Sequence, residues 1–310
     1  MSEPAVAIRV RGLSRRFDDL AAVDGLDFEV RRGELFGLLG PDGAGKTTTL
    51  RMLAGVLRPT AGDALLGETS VARQPEAAKD RLAYMSQRFG LYGDLTVREN
   101  LDFYADLYRV PHAERGARLS RLFRFSNLEP FQDRLAGKLS GGMKQKLGLS
   151  CALVHQPEFL LLDEPTFGVD PISRRDLWLI VHEMVAQGVT AVVSTAYMDE
   201  AERFDRLALL DRGRLLALDE PKALEERLRD RLLALRVDRV REAREAALKH
   251  PRVRGAVAFG DQLHLTVESA ARDGEEIARA LREAGFPVAS MGPVDAGMED
   301  VFLDALGDRR

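Results

Sequence analysis

Residues 35–48 constrain this chain more than any other stretch. LFGLL, Leu35 to Leu39, is an apolar run of strand length that ends in Gly40-Pro41-Asp42-Gly43-Ala44-Gly45-Lys46-Thr47. KTTTLRMLAGVL follows with helical spacing, and Pro59 and Gly62 mark its exit. A buried strand, a glycine-rich turn and a helix, in that order, make a phosphate-binding unit. The glycines let successive backbone N–H groups curl around a β-phosphate, and the helix N-terminus adds positive potential. Lys46 then reaches the β/γ-oxygens, Thr47 holds Mg2+ and Thr48 helps bind phosphate.

Two further segments extend that chemistry. Phe159-Leu160-Leu161-Leu162-Asp163-Glu164 is an apolar strand ending in two carboxylates. Beside the phosphate loop, Asp163 would contact Mg2+ through water, and Glu164 would polarise an attacking water. Leu139-Ser140-Gly141-Gly142-Met143-Lys144-Gln145 lies a short helix upstream. Ser140 can cap that helix, while Gly141 and Gly142 bare N–H groups to a phosphate.

Around these segments the chain reads as alternating strands and helices. AVAIRV and LDFEV precede LFGLL as short strands, and FLLLDEP, VTAVVST and the pair RLALLDRGRLLAL alternate with the helices ISRRDLWLIVHEMVAQG and MDEAERF. Between about residues 88 and 150 the pattern is helical, which predicts an inserted helical subdomain. An α/β nucleotide-binding domain is therefore expected over 1–222. Residues 223–310 begin a new pattern, with the connector KALEERLRDRL followed by β-α-β-β-α-β and the closing helix GMEDVFLDAL. That order predicts a small α+β, ferredoxin-like accessory domain.

LSGGMKQ closely resembles the signature of ATP-binding-cassette (ABC) ATPases, and together with the phosphate loop the resemblance covers about the first 220 residues. It implies ATP and Mg2+ as ligands and a dimer in which Ser140, Gly141, Gly142 and Met143 meet the nucleotide held by the opposite subunit. By the same resemblance Phe17 stacks on adenine, Gln87 meets Mg2+ and couples the site to the helical subdomain, and Asp170 in FGVDP communicates across the dimer. GPDGAGKTT, TAYMDEAERFD and the C-terminal GMEDVFLDAL are similar to ATPases of the ABC-2 exporter type, including daunorubicin-resistance ATPases. They also resemble the first nucleotide-binding half of tandem-cassette multidrug exporters, here expected to stand as its own chain.

Two positions depart from the family pattern. Asp42 stands where asparagine is usual, and Ala196 stands where a histidine usually contacts the γ-phosphate. A methyl group cannot do so, which implies a degenerate site and a dimer formed either with itself or with a second, histidine-bearing ATPase subunit. Alternatives are a soluble ABC ATPase acting on ribosomes or another macromolecule, and a regulatory cassette with little turnover.

Composition limits the remaining options. The chain has 310 residues, a formal net charge of -4 and 30% charged residues, which gives no bulk attraction for nucleic acid. Cys151 is the only cysteine, so no internal disulfide is expected and a reducing compartment fits. The N-terminus lacks a signal-like apolar stretch, and no apolar run approaches the roughly 20 residues of a membrane helix. Any membrane role must then go through a partner, and the ABC resemblance implies that this is a permease on a separate chain, with the protein cytoplasmic and peripheral on the inner face of the membrane.

Overall fold

The computed structural model describes residues 5–87 and 90–307. Two compact units are present: Met1–Tyr197 with Leu210–Leu215, and Met198–Leu209 with Leu216–Arg310. The first runs β1 (Val6–Phe17), β2 (Leu20–Arg31), β3 (Leu35–Leu39), α1 (Lys46–Leu53), β4 (Ala61–Leu66), β5 (Thr69–Ser70), α2 (Pro75–Lys79) and β6 (Leu82–Met85). Then come the helices α3 (Val97–Leu107), α4 (His112–Ser126) and α5 (Gly141–Leu153), followed by β7 (Phe159–Asp163), α6 (Pro171–Ala186) and β8 (Thr190–Thr195).

The apolar runs of the sequence become the parallel strands, which lie in the order β3-β8-β7-β6. Every residue of β3, β7 and β8 is buried, as expected of parallel strands covered on both faces. Register places Leu39 beside Thr195 and Asp163 beside Ser194, so the carboxyl ends of three strands coincide. Ligands of open α/β sheets bind just outside such ends.

β1 and β2 pair antiparallel, as do β1 with β4 and β4 with β5. The first two are longer than the short strands expected from AVAIRV and LDFEV. β1 continues through an irregularity between Val10 and Leu13, where Gly12 takes a φ of 55°. Such bulges keep a ladder going past residues that break strict alternation. Strands β4 to β6 are not legible in the sequence because AGDALL, TS and LAYM are short and poor in β-branched residues.

The second unit opens with a 3-10 segment, Met198–Arg203, where the sequence suggests an α-helix; six residues do not complete two α-turns. β9 (Arg206–Asp211) and β10 (Arg214–Asp219) are shared between units, their turn belonging to the first. After α7 (Pro221–Glu226) come β11 (Leu232–Val237), α8 (Val240–Ala247), β12 (Val253–Phe259), β13 (Gln262–Val267), α9 (Ala270–Glu283), β14 (Val288–Pro293) and α10 (Met298–Gly307). The sheet order β12-β13-β11-β14 is antiparallel throughout, the ferredoxin-like arrangement expected. Leu235, Leu263, Leu265 and Ile277 fill its core. Polar pairs hold α10 down, His264 Nδ1 to Asp300 Oδ1 at 3.1 Å and Arg231 Nη2 to Asp304 Oδ1 at 3.2 Å.

Candidate nucleotide site

The chain leaves β3 at Leu39 and enters α1 at Lys46, so residues 40–45 form the loop between them. Two glycines there are required by close backbone approach. A Cβ on Gly40 would lie 2.2 Å from the Leu210 carbonyl oxygen, and one on Gly45, whose φ is 98°, would lie 2.6 Å from that of Ala22. The first-turn N–H groups of α1 have no intrahelical partners, which is the property an anion exploits.

Lys46 is 4% exposed. Its Nζ donates to the carbonyl oxygens of Gly40 at 2.7 Å and Pro41 at 3.0 Å and stands 3.2 Å from Glu164 Oε1. The other carboxylate oxygen of Glu164 accepts from Gln87 Nε2 at 3.0 Å. Glu164 has a φ of 49°, an uncommon conformation for a residue with a side chain. Its N–H is tied to Ser194, to the carbonyl at 3.2 Å and the hydroxyl at 3.0 Å. Strain of this kind persists only where the surroundings over-determine it.

Asp163 is 1% exposed and fully engaged. Its Oδ1 accepts from Thr47 Oγ1 at 2.9 Å and Ser194 Oγ at 2.8 Å, and Oδ2 accepts from Tyr84 at 3.3 Å. Burial, reinforced by the Asp163 charge, pushes the Tyr84 hydroxyl up to about 12. Tyr84 therefore remains a neutral donor at physiological pH. Ser194 and Tyr84 are not legible in the sequence as site residues, because only the pairing of β6, β7 and β8 brings them to Asp163.

Asp42, Gly43, Ala44, Gly45, Lys46, Thr47, Thr48, Gln87 and Glu164 line a cleft of about 580 Å³. Leu20, Ala21, Ala22 and Arg212 complete its wall, and none of these four belongs to a motif of the sequence. Asp42 is exposed at the rim. Phe17, at the end of β1, is 42% exposed, with the Arg15 guanidinium 4.5 Å over its ring.

Ser140, Gly141, Gly142, Met143 and Asp170 do not line this cleft. They form a second locus. Ser140 caps α5 by accepting from Met143 N at 3.3 Å, and Asp170 caps α6 by accepting from Ser173 N at 2.9 Å. That backbone bond holds the Asp170 carboxyl below its ordinary range. Gly142 packs onto α6 so closely that a Cβ would lie 2.2 Å from Ser173 Oγ. A Cβ on Gly141 would meet only the Gly168 carbonyl oxygen, at 3.8 Å.

Ala196 follows directly on β8, half-buried. The neighbouring Tyr197 ring lies 4.3 Å beneath the Arg174 guanidinium of α6, and its N–H donates to Thr195 Oγ1 at 3.0 Å. That contact holds the ring against α6.

A phosphate loop, a buried Asp-Glu pair at the carboxyl end of the parallel strand next but one, and inserted helices with a serine-capped glycine pair define a P-loop nucleotide-binding cassette. The chain belongs to the ABC transporter family, which it matches over residues 23–167. It is 45% identical over 305 residues to "Probable multidrug ABC transporter ATP-binding protein YbhF" of Escherichia coli (strain K12), covering 97% of this chain and 52% of that protein. The chain thus spans about half the length of that relative. It is 33% identical to "Daunorubicin resistance ATP-binding protein DrrA2" of Streptomyces coeruleorubidus, over 98% of this chain and 96% of the other. A solved structure described as the ATP-binding subunit of an ABC transporter is 31% identical, with a TM-score of 0.65 over 71% of this chain and 92% of that one. Among the described residues no helix is long and apolar enough to cross a membrane.

Proposed function

We propose that this chain is the ATP-binding, ATP-hydrolysing subunit of an ABC-2 type membrane exporter, driven by ATP-dependent pairing of two cassettes. The observation that carries this reading is the separation of the two loci. Lys46, Thr47, Gln87 and Glu164 line one cleft, with Asp163 buried behind Thr47, while residues 140–143 and Asp170 stand outside it, available to a second subunit's nucleotide.

In this reading the loop N–H groups and Lys46 receive the phosphates, and Lys46 exchanges its present carbonyl partners for phosphate oxygens. Thr47 and Asp163 supply a hydroxyl and a carboxylate side by side. That hard, oxygen-only donor pair fits Mg2+, which fills the rest of its shell with water and phosphate. Gln87, which lines the same cleft, is the third residue of this reading's ion site. The ion, when bound, would offset charge on the β- and γ-phosphates. Glu164, oriented by Gln87 and Ser194, is the residue suited to polarise water. Phe17, with Leu20, Ala21 and Ala22, serves the base and ribose side.

The names of two relatives, multidrug and daunorubicin resistance, support an exporter of drug-like cargo, with a lipid-like cargo as the other option of this reading. The partners are then a permease on a separate chain and a second cassette, either another copy or a histidine-bearing ATPase. The protein would sit at the cytoplasmic face of the membrane through that permease. We assign residues 1–222 to the cassette, with the helical subdomain at about 88–150, and 223–310 to the connector and accessory domain. Glu164→Gln tests the central claim: hydrolysis should fall about 10²–10⁴-fold while Mg·ATP binding persists. Undiminished phosphate release by the variant would remove Glu164 from the chemistry.

A further inference from the structure

A cavity of about 350 Å³ opens in the first unit at the amino-terminal ends of β7 and β8, marked by Phe159 and Thr190. The nucleotide cleft lies at the carboxyl ends, so the two sites are distinct. The volume falls within the range of small-ligand sites, about 300–1,000 Å³. Its walls come from α4, the end of α5, the start of β7 and the end of α6, joining the inserted helices to the strand core.

The lining divides by chemistry. Leu122, Phe125, Leu153 and Met184 supply an apolar surface, and Arg32, Arg118 and Arg121 supply three cations. Glu158 is the only carboxylate in the lining, and it is already taken. Arg81 grips both its oxygens, at 2.9 and 2.8 Å, and holds its carboxyl below the ordinary range, with a smaller contribution from the Arg32 charge. Arg118 pairs with Glu114 and donates from Nη1 to the Val154 carbonyl at 3.2 Å, which fixes it as part of the wall. Arg32 and Arg121 make no ion pair with any described residue. The Arg121 guanidinium lies 5.1 Å over the Phe125 ring, at the meeting of the charged and apolar sides.

Two cations that make no direct ion pair, the one nearby carboxylate being gripped by Arg81, beside a concave apolar wall favour a ligand with an anionic head and an apolar body. We infer that this cavity binds a small amphipathic anion, its carboxylate or phosphate drawn to Arg32 and Arg121 and its body packed on Leu122, Phe125 and Met184. The arginine fork accepts either head group in bidentate geometry.

Met184 provides a reporter inside the cavity. The full chain labelled with [methyl-13C]methionine would be titrated with octanoate, octyl phosphate, octan-1-ol and acetate, and the Met184 signal assigned with Met184→Leu. Octanoate or octyl phosphate should move that signal saturably, with octan-1-ol and acetate each at least about tenfold weaker. The tighter of the two anions identifies the preferred head group. Arg32→Gln combined with Arg121→Gln should weaken anion binding about tenfold and leave octan-1-ol unchanged. The inference fails if the Met184 signal does not move, if octan-1-ol binds as well as the anions, or if the double variant retains full anion affinity. Should that variant not fold, the comparison of anion with alcohol on the natural sequence decides by itself.

Discussion

At the scale of single residues, the site is a set of charges held ready by neutral donors. Lys46 and Glu164 are both buried and 3.2 Å apart, so each is the other's compensation for lost hydration. Lys46→Ala removes the cation that reaches the phosphates and leaves the Glu164 carboxylate inside with only Gln87. Charge-assisted hydrogen bonds contribute about 1.5–3 kcal/mol each, so Mg·ATP affinity should fall by roughly 10- to 100-fold. Nucleotide titration of the variant checks this, and unchanged affinity would overturn the phosphate-loop assignment. The same scale shows where reading residues one by one stops. Asp163 and Glu164 are legible because a strand-length apolar run ends in them. Ser194, which bonds both Asp163 and the Glu164 backbone, carries no signal of its own in VTAVVST.

Elements explain why some glycines and caps tolerate no change. α5 and α6 meet at their N-terminal ends, and Gly142 makes that approach possible, since its Cβ would lie 2.2 Å from Ser173 Oγ and 2.3 Å from Ser173 Cβ. Gly142→Ala should therefore destabilise the fold by about 1–3 kcal/mol through overpacking, despite the better helix propensity of alanine. Ser173→Gly should recover part of the loss in a double-mutant cycle read by denaturant unfolding. Additive effects of the two substitutions would mean that the contact is not the cause. Long elements and their order are largely legible here: the buried strands, the helices of the insert and the β-α-β-β-α-β string all follow from periodicity and punctuation. β4 to β6 are not, because their stability comes from pairing with β1 and β7 rather than from local propensity. Arg212 escapes a sequence reading for a related reason. It enters the cleft wall only because Gly213 donates to the Ala44 carbonyl at 3.0 Å and Asp24 N donates to that of Gly213 at 2.9 Å, pinning the turn against the phosphate loop.

For the whole molecule, the separation of the two loci makes pairing the central expectation. A Cβ on Gly141, beside the Ser140 cap, would meet nothing closer than the Gly168 carbonyl oxygen at 3.8 Å, so Gly141→Asp should fold normally and bind nucleotide. The added carboxylate should nevertheless block ATP-driven dimerisation by facing the partner's γ-phosphate. Light scattering with Mg·ATP on a Glu164→Gln background measures this. A dimer unaffected by Gly141→Asp would remove the signature loop from the interface.

Position 196 bears on which kind of dimer is expected. Phosphoryl transfer depends almost entirely on positioning and electrostatic stabilisation, so a missing donor near the γ-phosphate raises the barrier directly. The Ala196 side chain has no donor, and the Tyr197 ring is held beneath Arg174 of α6. The hydrogen bonds joining Thr47 to Asp163 and Gln87 to Glu164, and the ion pair of Glu164 with Lys46, do not involve position 196. Binding should therefore be largely spared while turnover is slow. An orienting or acid–base group contributes about 10²–10⁴-fold, and Ala196→His should accordingly raise hydrolysis by about 10²-fold or more. In a homodimer both sites carry the deficit. Pairing with a histidine-bearing cassette leaves one competent site, completed by Ser140, Gly141 and Gly142 of this chain, and that composition is expected in the complex purified from the host. If the Ala196→His variant hydrolyses ATP no faster than the natural sequence, and the natural protein purifies with its permease and no second ATPase, the symmetric motor is the correct assembly.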